Sequence, residues 1–121
     1  MAASLLGMLT VIAGALGAHA LKPVLSADSL KSFETAVRYS AWHAIALLAL
    51  FSVFDRLKRA RYVTLLWFLG ALLFSGSIYL LSTRELSGLQ VSFLGPVTPL
   101  GGLLMIMGWF LLFWEALGMK K

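Results

Sequence analysis

Four apolar stretches divide the chain, and polar or helix-breaking residues separate them. The first runs from about residue 2 to 21 with no charged side chain. It stops at Lys22 and Pro23, where a proline cannot continue a helix. The second has its apolar part from about Tyr39 to Phe54, the third from about Tyr62 to Leu81, and the fourth from about Val97 to Leu117. A helix crossing a bilayer core of about 30 Å needs roughly 20 apolar residues. The second stretch is short by that measure, but no proline or glycine interrupts residues 27–54. Ser26 suits an N-cap and Asp28 a first turn, so one long helix over 27–54 is expected. Its outer end is amphipathic, with Leu30, Phe33 and Val37 on one face at spacings of three and four. The run 94–99 (LGPVTP) reads as a turn, with Thr98 as N-cap and Pro99 opening the fourth helix. Residues 82–95 form a loop of mixed polarity, and Gly118 suits the end of the last helix.

Composition explains why these stretches belong in lipid. Of 121 residues, 60% are hydrophobic and 12% charged, against roughly 45–50% and 25% in soluble domains. A soluble chain this short cannot bury so much apolar surface. The absence of cysteine excludes disulfides, thiolate catalysis and iron–sulfur ligation. The net charge of +5 is no nucleic-acid signal, because the basic residues sit in short patches beside the apolar stretches. Ala18, His19 and Ala20 have the small-x-small form of a signal cleavage site. No positive charge precedes the apolar run, however, so the first stretch is expected to stay as a helix. Four spans place both termini on one side, with Arg56, Lys58, Arg59, Arg61, Lys120 and Lys121. Lys22, Lys31, Arg38 and Arg84 fall on the other side. The excess, concentrated in the short loop 55–61, predicts cytoplasmic termini.

Helices in lipid associate through close packing and interhelical hydrogen bonds. Ala3, Gly7, Gly14 and Ala18 form a small-residue stripe on the first helix. Gly70, Gly76 and Ser77 serve the third, and Gly101 and Gly108 the fourth. These suit contacts within a bundle or between copies of the chain.

Six polar residues form the candidate cluster: His19, Glu34, Arg38, Tyr39, His43 and Thr98. Glu34 precedes Arg38 by four, the favourable order for an ion pair, and Arg38 is also able to hold an anionic group. Thr35, Tyr39 and His43 make the adjacent stripe. His43 should face the interior, either as a satisfied neutral histidine or as a proton relay. His19 and His43 are the only histidines, and two helices can present such a pair to a haem or metal. Their depths differ by about one turn and no third ligand stands out, so no cofactor is expected. Glu115, on the stripe of Gly101, Met105, Gly108 and Leu112, is expected to pair with Lys120 or a base of the 55–61 loop, or to snorkel to the surface. The nucleophile-elbow, phosphate-loop and HExxH motifs are absent, and no internal repeat suggests an inverted-repeat transporter.

Segments 14–21 (GALGAHAL), 34–39 (ETAVRY) with 43–48 (HAIALL), 74–81 (FSGSIYLL) and 94–102 (LGPVTPLGG) carry a resemblance over nearly the whole chain. Together they resemble the YgdD-type small bacterial membrane proteins, a family of unknown function that is also similar to the eukaryotic transmembrane protein 256. The recurrent residues match at His19, Glu34, Arg38, Tyr39, His43, Ser75, Ser77, Tyr79, Pro96, Thr98 and Pro99. Leu16, Ala20 and Trp42 depart from the pattern and bear on packing. The resemblance implies a four-helix protein of the bacterial inner membrane and no activity.

The expected fold is thus an all-α integral membrane protein, a single domain forming a four-transmembrane-helix bundle. The expected role is non-enzymatic: structural, assembly or interaction. The alternative is a small-molecule or lipid-binding protein, transporter or channel acting as an oligomer. The expected partners are the lipid bilayer and either a second copy or other membrane proteins, with no nucleic acid.

Overall fold

The computed structural model describes residues 1–118, and all regular structure among them is helical. The long helices are α1 (Ala2–Ala18), α2 (Ala27–Ser52), α3 (Ala60–Ser82) and α5 (Val97–Gly118), and α4 (Arg84–Ser87) is a single turn between the last two. Short 3-10 turns at Phe54–Arg56 and Ser92–Leu94 complete the connections.

α1 ends three residues earlier than its apolar run predicts. The His19 N–H donates to the Ala15 carbonyl, and the Leu21 N–H reaches back five residues to Leu16. The cause is Pro23, whose ring disfavours the helical region for the residue before it. α2 starts where expected: the Ser26 hydroxyl accepts from the Ser29 N–H at 3.2 Å, with Asp28 in the first turn. It closes at Ser52 rather than residue 54, because the chain tightens there into the 3-10 turn. α3 gains two residues at its start and one at its end. The 82–95 loop contains α4, which Gly88 terminates at φ +67°, a left-handed conformation that glycine adopts without strain. Thr98 does not cap α5. The helix begins at Val97, and the Thr98 hydroxyl points across to α3 instead.

Consecutive long helices pack antiparallel. Along α1 and α2, Gly7 faces Ala44, Gly14 faces Val37, and Gly17 faces Phe33. Along α3 and α5, Gly70 meets Gly101 and Trp67 meets Gly108. α3 is the hub, flanked by α2 on one side and α5 on another, while α1 leans on α2 and touches α3 only lightly. Val63, Trp67 and Ala71 of α3 are therefore almost wholly enclosed, and Leu6, Leu47, Leu50, Leu57 and Met105 close around them. The amphipathic start of α2 turns its apolar face inward as expected, with Phe33 buried against Gly17 and 4.8 Å from the Tyr79 ring.

The small residues serve contacts within the bundle. On α1, Gly17 rather than Ala18 is the buried member of the stripe. The α3–α5 crossing is the closest approach. A Cβ on Gly70 would lie 2.9 Å from the Gly101 carbonyl oxygen, and one on Gly101 would overlap the Phe74 backbone. Gly76 differs, because nothing lies within 4 Å of where its Cβ would stand.

Large apolar side chains cover the outside. Ile45, Ile106, Phe110 and Phe113 are each at least 60% exposed. Soluble monomers rarely present apolar area on that scale.

Replacing Gly101 with valine should force the two helix backbones apart, with overpacking costing about 1–3 kcal/mol or more. Gly76→Ala should be neutral or slightly stabilising, since alanine is favoured over glycine in a helix by about 1 kcal/mol. Thermal unfolding in detergent, followed by tryptophan fluorescence, compares the two.

Candidate functional site

His43 sits on the buried face of α2, between α3 and α5. Its Nδ1 lies 2.8 Å from the Tyr39 carbonyl oxygen, one turn earlier. The Trp109 indole Nε1–H donates to its Nε2 at 3.2 Å. An indole nitrogen only donates, so Nε2 accepts, and the proton must sit on Nδ1, which donates to the carbonyl. The two hydrogen bonds thereby select one neutral tautomer and use both ring nitrogens. Trp67 closes the third side, its ring 6.0 Å from His43 and 4.4 Å from Trp109. The Trp67 Nε1 itself is buried without a partner, as is the Tyr79 hydroxyl, which lies toward Ser40 without forming a well-shaped hydrogen bond.

Two further hydrogen bonds between buried polar groups bridge helices. The Ser75 hydroxyl donates to the Ala36 carbonyl at 2.8 Å, joining α3 to α2. Ser77 and Thr98 share a hydrogen bond of 2.6 Å, joining α3 to α5. At the opposite end, Glu115 accepts from the Arg59 backbone N–H at 3.1 Å and its guanidinium at 3.4 Å. The carboxylate side chain is only 9% exposed. This is the base of the 55–61 loop that the sequence proposes as a partner; Lys120 lies outside the described residues.

The six candidate residues do not form one cluster. Tyr39, His43 and Thr98 are engaged in the bundle, Tyr39 through ring contacts with Phe74 and Trp42 at 4.9 and 5.1 Å. His19, Glu34 and Arg38 are exposed, and among the described residues their side chains make no hydrogen bond or ion pair. The expected Glu34–Arg38 pair is not formed. Two exposed side chains gain little from pairing, and that gain is set against the entropy of holding both still. The histidine pair is also not assembled. His19 follows Gly17, which packs at the level of Phe33, ten residues before His43, or about 15 Å along α2. Sequence reading missed Trp109 as the partner of His43. The one hint was its place beside Gly108, where α5 comes closest to Trp67.

The profile of the family described as Protein of unknown function (DUF423) matches residues 13–102. This chain belongs to the DUF423 family. It is 38% identical to the UPF0382 membrane protein YwdK of Bacillus subtilis over 108 residues, covering 87% of this chain and 84% of the relative. A UPF0382 membrane protein of Schizosaccharomyces pombe is 40% identical over 108 residues, covering 88% and 91%. One of Haemophilus influenzae is 39% identical over 107 residues, covering 88% and 82%. No solved structure matches. This DUF423 chain is thus a helical membrane protein of a family without an assigned function. The matched segment holds all six candidate residues, whereas Trp109 and Glu115, the partners of His43 and Arg59, lie beyond it.

A double-mutant cycle on His43→Ala and Trp109→Phe should give a coupling of about 0.5–2 kcal/mol, the span measured for interhelical hydrogen bonds in membranes. Unfolding in mixed micelles measures it, and zero coupling would mean that the bond contributes nothing.

Proposed function

We propose that this DUF423 protein is a non-enzymatic structural or interaction component of the bacterial plasma membrane, crossing it four times with both termini in the cytoplasm. The carrying observation is the His43 arrangement: its ring is locked between α2 and α5 with both nitrogens occupied. Ser75, Ser77 and Thr98 likewise spend their hydroxyls on neighbouring helices. A proton relay or solute path needs polar groups free to face a cavity. None of the six candidates lines the apolar groove beside α1 or the cavities near Met1 and the 55–61 loop.

Four spans are favoured by length. α3 and the segment Ser92–Gly118 are long and apolar enough to cross a membrane, and α1 is an apolar helix of 17 residues. α2, at 26 residues, extends about 39 Å, more than a bilayer core, so its charged outer third reaches into the headgroups. Arg38 can snorkel from the edge of that zone. The basic loop between α2 and α3 favours the cytoplasmic side for that end. The YgdD-type resemblance favours the bacterial inner membrane.

An alkaline phosphatase fused within residues 55–59 should be inactive, and one within 85–90 active; the reverse pattern would invert the topology. His43→Ala should lower the melting temperature without changing solute flux in proteoliposomes. A flux that vanishes in this variant at unchanged stability would sink the structural reading in favour of transport.

A further inference from the structure

We infer that the groove between α1 and α3 is a binding site for one acyl chain of an anionic phospholipid, with the headgroup held at its mouth near Lys22 and Arg84. This goes beyond the structural role proposed above and does not depend on it.

The groove exists because α1 packs mainly on α2 and only lightly on α3. Gly7, Gly14 and Gly17 draw α1 down onto α2, and α1 then stands off from α3. The gap encloses about 470 Å³, within the range of about 300–1,000 Å³ for small-ligand sites. Its walls are Leu6, Leu9, Ile12 and Leu16 of α1 against Leu72 and Leu80 of α3. The floor is Phe33, Ala71 and Gly76, with the hydroxyls of Thr10 and Ser75 turned away to backbone carbonyls. The surface offered to an occupant is therefore almost wholly apolar. From Leu72 to Thr83 the α3 wall runs about 17 Å along the helix axis, an elongated slot.

Charge distinguishes this slot from a featureless gap. Leu21 and Thr83 close the groove at the end away from the N-terminus, and Lys22 and Arg84 follow them directly in the chain. Both cations are exposed, and neither has an ion-pair partner among the described residues. Glu85 is the one acid adjacent in sequence to either, so these three residues together carry net positive charge. An apolar slot with a cationic mouth matches an amphiphile with an anionic head. Lipid tails gain no hydrophobic energy by moving from bilayer to protein, so selection rests on fit and on the charged head. A helix from a second copy suits the groove less well. Helix contacts in lipid favour small residues, and the α1 glycines that would serve are already spent on α2.

Gly76 supplies the test, because it lines the groove and a Cβ there would meet nothing within 4 Å. The full-length protein in mild detergent is mixed with phosphatidylglycerol or phosphatidylcholine, and retained lipid is read by native mass spectrometry. Wild type should keep phosphatidylglycerol in preference to phosphatidylcholine and melt at a higher temperature with it. Gly76→Leu should lose about tenfold in phosphatidylglycerol affinity, equivalent to about 1.4 kcal/mol, and lose the thermal shift. Lys22→Gln combined with Arg84→Gln changes only exposed residues, so it reports even if Gly76→Leu fails to fold. It should keep a lipid but no longer prefer the anionic one. Undiminished phosphatidylglycerol retention in Gly76→Leu, or equal retention of both lipids by wild type, would overturn the inference. A wild-type dimer abolished by Gly76→Leu would overturn it too, by assigning the groove to a second copy.

Discussion

The backbones of α3 and α5 cross at Gly70 and Gly101 with no side chain between them, and the rest of the bundle is arranged around that approach. In lipid, two apolar helices gain nothing simply by leaving their surroundings, so dispersion contacts and hydrogen bonds must hold them together. A glycine at each side of the crossing brings the two cylinders close enough for both. With the axes set there, Trp67 meets Gly108, and Ser77 comes within 2.6 Å of Thr98. Trp109 is carried to His43 on α2 by the same placement. α3 becomes the hub because it alone meets both α2 and α5 along much of its length.

The polar groups inside the bundle follow a common logic. A buried donor or acceptor left unpaired costs about 1–3 kcal/mol, and His43, Ser75, Ser77 and Thr98 each close on a neighbouring helix. The histidine shows how far this constrains chemistry. Once the indole donates to Nε2 and the ring donates from Nδ1, neither nitrogen is free to accept a further proton without breaking a contact. Such an arrangement holds the ring in one orientation against α5. The Arg59–Glu115 contact works in the same way at the other end, tying the basic loop to the last turns of α5.

α1 stands apart from this network. Its only buried hydroxyl, on Thr10, bonds within its own helix, and its glycines face α2. No interhelical hydrogen bond to α3 draws it in, and the groove is the geometric result. The tight α2–α3–α5 core and the loosely seated α1 are two consequences of where the glycines lie.

Much of this was legible in the sequence because it depends on short-range energies. Four apolar stretches gave four long helices, Ser26 gave the start of α2, and the spacing of Leu30, Phe33 and Val37 gave its inward face. Each follows from hydropathy, capping or periodicity within a few residues. The early end of α1 came from the same kind of local effect at Pro23. Tertiary structure alone decided the partners. Which way His43 points depends on the rotation of α2, which the glycines of α1 and the packing of α3 set from outside. Glu34 and Arg38 share the outer part of α2 with Tyr39, yet they separate from it because their positions on the helix turn them outward. The groove belongs to neither α1 nor α3 by itself, so no pattern along either one announces it.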